Sequence, residues 1–338
     1  MKPLTAGVFA RLADGEFHSG EALARSLAVS RASVWNAVRD LEATGIEVYK
    51  VRGRGYRLPH PVALLDRAAV ERHLGTNVER FALDIRYQVS STNATLLECA
   101  ASGAAGGTVV AVEWQSGGRG RLGRTWHAGV GEALTFSLLW RFTHGAGALS
   151  GLSLAVGVAL ARALAASGAS GVALKWPNDI VRGDAKLAGI LTELAGDALG
   201  PTTAVIGIGI NVRLSEATRA RIGQPATDLV SAYGAAPDRN RLLAAVLVEL
   251  DCVLDAFAKD GFAPLRAEWQ RRHAYQDQRV ALHMPDGTRQ SGHARGVAED
   301  GSLLLETRAG VKRFHSGEIS LRIAGQTAGR RSAVSGER

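Results

Sequence analysis

Ten residues constrain the architecture of this chain more than any others: Gly117-Gly118-Arg119-Gly120-Arg121-Leu122-Gly123-Arg124-Thr125-Trp126. They combine four glycines with three arginines, have no hydrophobic period, and lie between two strand-forming runs, 108–115 and 133–140. Glycine lets backbone N–H groups approach an anion closely, and the guanidinium groups add charge. Two nucleotide motifs can be laid over the stretch. Gly118, Gly120 and Gly123 spell GxGxxG, and Gly118 to Thr125 falls one residue short of a P-loop, with Arg124 in place of lysine. Both motifs need a helix whose N-terminus meets the phosphate. Here His127-Ala128-Gly129-Val130-Gly131 is a further loop and strand formers follow, so no helix is predicted at Gly123 and both motifs fail. A disordered arginine-glycine tract for RNA fails too, because the run is brief and flanked by strands. A cationic loop hung between two strands remains, able to close over a phosphorylated ligand.

The 338 residues, 46% of them hydrophobic, are enough for two or three domains with full cores. A net charge of +8 favours a polyanionic partner or phosphorylated ligand, with solubility alone as the alternative. Cys99 and Cys252 are far apart and suggest neither a disulfide framework nor a zinc site, which fits a reducing cytoplasm. Asp14 and Glu16, and the lack of an uninterrupted apolar core near the start, argue against export. Residues 152–166 are apolar but too few to span a bilayer and include Arg162, so they read as a buried helix.

Residues 4–12 predict a helix, Ser19 caps a second over 20–27, and Ser30 caps a third in which Val34, Val38 and Leu41 form one buried stripe. The tight Ala28-Val29 connection suits a helix-turn-helix. A strand over 46–51, a turn at Arg52-Gly53-Arg54-Gly55 and a returning strand over 56–58 add a wing. Four basic residues and no acidic one lie between Lys50 and Arg57, giving the excess charge a place along a phosphate backbone. Ser30, Arg31, Asn36, Arg39, Arg52 and Arg54 are the DNA-binding candidates. The alternative is a small dimerisation or docking domain with solvated arginines. Pro59-His60-Pro61 reads as a stiff linker.

In the central region, a helix over 68–74 and a strand over 81–88 precede Ser90-Ser91-Thr92-Asn93, which on its own is either a helix cap or a site. Residues 172–175 form a strand entering Trp176-Pro177-Asn178-Asp179, and a hairpin-like unit through Lys186 brings Lys175, Asn178, Asp179 and Lys186 into one neighbourhood. In Ile206-Gly207-Ile208-Gly209-Ile210-Asn211, alternation puts both glycines on one face, either as a floor for a flat ligand or as a bulge or close packing. Residues 240–257 form a long core helix, and Trp269 belongs to another. From 279 to 322 strand-like runs broken at Asp286-Gly287 and Asp300-Gly301 predict a small barrel.

The ordered set GRGRLGRTW, WPND after Lys175, KLAGIL and GIGIN resembles bacterial biotin–protein ligases. The winged helix and C-terminal segment fit the bifunctional form that is also the biotin operon repressor. The resemblance runs from about Leu4 to Arg322 and stops at the tail after Ile323. It implies an α+β chain with a winged helix-turn-helix over 1–62, a mixed-sheet α/β ligase domain of class II synthetase type over 63–274, an SH3-like β-barrel over 275–323 and a disordered tail over 324–338. It also implies formation of biotinyl-5′-adenylate from biotin and MgATP, then transfer of biotin to a lysine of the biotin carboxyl carrier protein of acetyl-CoA carboxylase. The adenylate would act as corepressor for a homodimer on operator DNA.

Carried over residue by residue, the resemblance sets Lys186 between the biotin carboxylate and the α-phosphate, and gives Arg119, Arg121 and Arg124 to a loop that orders over the adenylate. Ser91, Thr92, Asn93 and Gln115 match biotin-pocket positions, beside Gly118 and Gly120 of the loop, while Gly189, Gly207 and Gly209 admit the flat bicyclic ring. Trp126 would cover the adenylate. Lys175, Asn178, Asp179 and Asn211 match nucleotide-side positions, and Lys175 and Asp179 join Lys186 and Arg121 as catalytic candidates. Asp179 has three open roles: holding magnesium, orienting a lysine, or accepting the acceptor amine's proton. A carboxylate is already a nucleophile, so adenylation needs neutralisation of charge rather than a base. Two rival readings are a lipoate-type ligase using the same acyl-adenylate logic, and a biotin-sensing transcription factor without catalysis.

Overall fold

The N-terminal helices begin where the sequence places their caps. In this computed structural model, which describes residues 2–196, 200–284, 287–315 and 320–323, α1 (Pro3–Leu12) opens with proline in its first turn, where the missing N–H has no intrahelical partner to lose. Ser19 Oγ accepts the Ala22 N–H at the start of α2 (Gly20–Ser26), and Ser30 Oγ accepts the Ser33 N–H at the start of α3 (Arg31–Ala43). Val34, Ala37, Val38 and Leu41 of α3 pack with Val8, Phe9 and Leu12 of α1.

The first wing strand is shorter than expected, because the Ile46 N–H bonds back to the Leu41 carbonyl at the end of α3. Only β1 (Tyr49–Val51) pairs with β2 (Gly55–Arg57). The wing gains a partner the sequence did not announce: His18 and Tyr56 exchange both backbone hydrogen bonds at 2.9 Å. Gly55, at φ 105°, lies so close to the His18 carbonyl that a Cβ would overlap it.

The central domain follows Asp66, which caps α4 (Arg67–Leu74). Strands β3 (Ala82–Val89), β4 (Thr108–Gln115), β5 (Ala133–Phe142), β6 (Val172–Lys175), β7 (Asp179–Arg182), β8 (Ala185–Gly196) and β9 (Thr202–Asn211) form a seven-stranded sheet in the order β3-β4-β5-β9-β8-β7-β6. The β3–β4 pair is parallel, with α5 (Thr92–Ala101) as its crossover, and the others are antiparallel. One sheet face packs Leu134, Phe136, Leu138, Ile206, Ile208 and Ile210 into a core with α6 (Leu152–Ala166) and, after the short helices α7 (Glu216–Arg221) and α8 (Leu229–Tyr233), with the long α9 (Arg239–Asp260). Residues 146–166 reach a mean hydropathy of 1.7, and α6 is buried in that core as its composition predicts. Helix α5 covers part of the opposite face through Leu96, against Val110, Val112, Leu139 and Val205.

After α10 (Arg266–Arg271), strands β10 (Arg279–His283), β11 (Arg289–Val297), β12 (Leu303–Thr307), β13 (Gly310–Phe314) and β14 (Ser320–Ile323) make an antiparallel sheet in the order β13-β12-β11-β10-β14. The expected barrel is thus a five-stranded sheet with β13 and β14 at its margins, and Val280, Leu282, Leu303 and Leu305 join the core of the central domain. The turn at Asp300-Gly301 is present. Asp286, from the other predicted turn, and the 324–338 tail lie outside the described residues.

A buried ion pair that the sequence did not reveal ties the linker to the central domain. Glu113 of β4 and Arg239 of α9 meet at 2.6 Å with side chains 4% and 2% exposed. Both reach the linker: Glu113 accepts the Leu65 N–H, and Arg239 donates to the carbonyls of Ala63 and Ala133. Asn240 donates to the Leu64 carbonyl and accepts the Asp66 N–H. Residues 63–66 are therefore held by main-chain hydrogen bonds, whereas the prolines alone suggested only stiffness.

Candidate functional site

Strand register builds the floor of the central cavity. Ser137 of β5 stands opposite Gly207 of β9, which stands opposite Leu191 of β8; in the next row Thr135, Gly209 and Gly189 are aligned in the same way. Directly opposed residues share a face, so the GIGIN glycines form an open strip between two hydroxyls and a third glycine. The register is unbroken here, so the bulge alternative falls away, while close packing is present: Gly207 lies against Asn93 and Gly209 against Trp126, and both glycines line the cavity.

At one end of the floor, α5 delivers three buried polar side chains. Ser91 caps the helix by accepting the Ala94 N–H, so the cap and the site coincide. The Thr92 N–H and Oγ1 both reach Gln115 Oε1, at 2.7 and 3.1 Å. Ser137 Oγ, fully buried, lies 2.7 Å from Thr92 Oγ1 and donates to Asn93 Oδ1 at 2.5 Å. Asn93 Nδ2 donates to the Leu191 carbonyl and, at 2.7 Å, to Glu193 Oε2. The same carboxylate oxygen accepts from Arg119 Nη2 at 3.1 Å, tying the glycine-arginine loop to the rim of the cavity. Thr135, Ser137, Ile190, Leu191, Ile208 and Glu193 were not singled out from sequence. The hydroxyls at 135 and 137, spaced by two in an apolar strand, were the available signal.

The other end is cationic. Lys186 Nζ and Asp179 Oδ1 form a 2.6 Å ion pair. Arg121 Nη1 donates to Asn178 Oδ1 at 3.2 Å, while Asn178 Nδ2 donates to the Ile190 carbonyl. Burial pulls the Arg121 guanidinium below its ordinary value, against the attraction of Asp179. Trp126 lies over the floor: a Cβ on Gly209 would come within 2.5 Å of its indole, and Lys186 Nζ is 5.9 Å from the ring centroid. Its Nε1 is buried with no hydrogen-bond partner, a donor left unsatisfied beside the floor.

The cavity is lined by Ser91, Thr92, Asn93, Gln115, Arg119, Gly120, Arg121, Trp126, Asn178, Lys186, Gly189, Gly207 and Gly209 among the sequence candidates. The remaining candidates lie elsewhere. Gly118 and Arg124 line an open groove on the outer side of the loop. Asp179 is reached through Lys186. Lys175 is paired across the β6–β7 turn with Asp179, which binds Lys186, so the expected four-residue neighbourhood forms; Lys175 Nζ also lies 5.8 Å from the Tyr275 ring, outside the cavity lining. Asn211 Nδ2 donates to the carbonyls of Lys186 and Thr227, pinning the chain beyond α7 against β8. Among the described residues no group of three or more His, Cys, Asp or Glu side chains could hold a metal ion. The loop's single 3-10 turn, over 121–123, is interrupted by Leu122 in the left-handed region at φ 58°.

In the N-terminal domain, Arg31, Asn36 and Arg39 of α3 lie on the surface, as do Arg52 and Arg54 of the wing tip. Ser30 is occupied as the helix cap. Arg54 and Arg57 stack over the Phe17 ring at 4.3 and 4.9 Å, which holds the wing's cations in place. The winged helix and the cavity share one stretch of chain. Shortly after Arg124 and the indole of Trp126, Val130 is buried in the winged-helix core beside Tyr87, Trp114 and Val62, and Phe9 meets Tyr87 edge-on at 5.9 Å.

Residues 85–211 match the biotin/lipoate A/B protein ligase family, residues 8–57 an HTH domain and residues 277–322 the biotin protein ligase C-terminal domain. The chain is 39% identical over 95% of its length to a protein of Salmonella typhimurium named bifunctional ligase/repressor BirA, covering 98% of that protein. It is 33% identical over 75% of its length to a biotin--[acetyl-CoA-carboxylase] ligase of Mycobacterium tuberculosis, covering 94% of it. Among solved structures, a biotin protein ligase from Aquifex aeolicus in complex with biotin and ATP superposes with a TM-score of 0.62 at 30% identity, over 72% of this chain and 99% of that one.

Proposed function

Since the chain belongs to the biotin protein ligase family, among members that carry an N-terminal helix-turn-helix domain, we propose that its cavity makes biotinyl-5′-adenylate and that its winged helix reads operator DNA. The protein is a biotin–protein ligase and a transcriptional repressor, and biotin and ATP are its ligands. In the first step a biotin carboxylate oxygen bonds to the α-phosphorus of ATP and pyrophosphate leaves. In the second a carrier lysine amine attacks the acyl carbon, AMP leaves, and the amine loses a proton. The observation that carries the site assignment is the placement of Lys186 and Arg121 at the cationic end of a cavity whose floor is bare backbone.

The fused ring of biotin fits the strip of Gly189, Gly207 and Gly209, with Ser91, Thr92, Asn93 and Gln115 offering hydrogen bonds to its ureido group. Its carboxylate then points toward Lys186. As the carboxylate and α-phosphate approach, Lys186 exchanges Asp179 for the two anions and neutralises them where water is excluded. Asp179 thereby acts first as the group that orients the lysine. Arg119, Arg121 and Arg124 close over the adenylate, and the Trp126 N–H supplies a donor at the floor. Lys175 and Asn211 serve the nucleotide side indirectly, through the Tyr275 and Thr227 segments they hold. Magnesium arrives on the ATP phosphates rather than in a prebuilt carboxylate site. The carrier is the biotin carboxyl carrier protein, and the adenylate-bound protein forms a homodimer that presents two winged helices to a palindromic operator.

Pyrophosphate exchange into ATP that depends on biotin and not on lipoate tests the ligase reading, and biotin transfer to purified carrier completes it. Exchange driven equally by lipoate would move the chain to the lipoate-type reading, and no transfer at all would leave only a biotin sensor. A salt-titrated footprint with and without adenylate tests the repressor half separately.

A further inference from the structure

The outer face of α3 carries an aromatic side chain that belongs neither to the core nor to the cavity. Trp35 is 47% exposed, although tryptophan is among the side chains that gain most from burial. It lies one turn after Arg31 and one turn before Arg39, on an exposed flank beside the buried stripe of Val34, Ala37, Val38 and Leu41. The Arg39 guanidinium stacks over the indole, 4.9 Å from its centroid. The face is therefore a line of guanidinium, indole and guanidinium, with Ala32 and Asn36 alongside. The nearby acids point elsewhere: Asp40 accepts from Thr5 and pairs with Lys2, and Glu42 pairs with Lys50. This charge pattern suits a polyanion and not a second copy of the same basic face.

A recognition helix in the major groove meets one apolar group on the base edges, the C5-methyl of thymine, and an arginine there meets guanine O6 and N7. Resting on the winged helix reading DNA, we infer that Trp35 is a specificity-determining residue that covers a thymine methyl, with Arg39, held against the indole, turned to a guanine beside it. The ligand is a major-groove step carrying a C5-methyl pyrimidine. Stacking fixes the guanidinium plane before contact, so less freedom is lost on binding than for a free arginine.

The test uses the full chain with biotin and MgATP, and duplexes recovered by selection from random DNA with that same protein. Each thymine of the recovered sequence is replaced in turn by deoxyuridine, which removes only the methyl, and affinity is read by fluorescence anisotropy. One position is expected to lose about fourfold in affinity, the worth of one buried methyl. Trp35→Ala should bind the thymine and deoxyuridine duplexes equally, and Trp35→Phe should keep part of the difference. Placing 5-methylcytosine at that position should restore more affinity than cytosine. The inference is overturned if the deoxyuridine profiles of the parent and Trp35→Ala coincide, or if Trp35→Ala changes self-association in sedimentation and leaves the profile intact. Failure to recover any preferred sequence would overturn the DNA-reading assignment itself, and this inference with it.

Discussion

Lys186 and Asp179 form their 2.6 Å ion pair across the adjacent strands β8 and β7, with side chains 20% and 17% exposed. The pair leaves the ammonium 5.9 Å from the Trp126 ring centroid. Lys186→Ala should lower biotin-dependent pyrophosphate exchange on the order of a hundredfold or more, as expected when one charge-stabilising donor is removed. Near-parental exchange in that variant would remove Lys186 from the reacting centre.

Arg121 reaches Asn178 across the cavity from a glycine-rich loop, and under the proposed lid role its grip on the adenylate depends on that loop. Arg121→Ala should leave adenylate synthesis measurable and shorten the time the intermediate stays bound. Gel filtration after loading with labelled ATP and biotin would reveal the released adenylate, and undiminished retention would contradict the lid role.

Gly207 and Gly209 leave no room for a side chain unless Asn93 or Trp126 moves. A Cβ at 207 would overlap Asn93 Oδ1, and one at 209 would meet the Trp126 ring. Gly207→Ala and Gly209→Ala should raise the KM for biotin on the order of tenfold or more while moving the KM for ATP much less, since a group of the binding floor is displaced and the cationic end is left in place. Equal shifts in both would place the strip under the nucleotide instead.

The Glu113–Arg239 pair is buried, so removing one partner strands the other. Arg239→Met should cost about 3–5 kcal/mol in denaturant unfolding. It should also open the 59–66 linker to limited proteolysis, because the carbonyls of Ala63 and Ala133 lose their donor. The double replacement Glu113→Leu with Arg239→Met should recover part of that loss.

Burial lowers the pKa of His273 from 6.5 to about 4 and keeps the ring neutral against Trp269, at 4.7 Å. A histidine with a depressed native pKa leaves stability unaffected above the unfolded value and erodes it as pH falls toward the folded one. Between about pH 7 and about pH 5 the loss should be about 2 kcal/mol, and it should vanish in His273→Phe. A pH-independent unfolding midpoint in the parent over that window would contradict this assignment.

Much of this architecture was legible because short-range rules govern it. Ser19 and Ser30 cap their helices, the loop before Trp126 fails to start a helix, and alternation in GIGIN sets a glycine face. What escaped depends on pairs distant in sequence. Glu113 and Arg239 are 126 residues apart, and neither looks buried in isolation. Glu193 stands in a strand already singled out, but its worth comes from Asn93 and Arg119, brought to it by α5 and the loop. Lys175 shows both: its pairing with Asp179 follows from the local turn, while its second neighbour, Tyr275, comes from a segment far along the chain. Ile46 left the wing because a carbonyl at the end of α3 took its N–H.

Val130 makes the two halves of the molecule hard to separate. Taking away the first sixty-odd residues would not release a finished ligase domain; it would leave Val130, Tyr87 and Trp114 facing water on the loop and strands that frame the cavity. A shorter, DNA-independent descendant of this chain would therefore need compensating polar substitutions at those three positions, and their chemistry is a readable record of whether a ligase in this lineage ever let its regulator go.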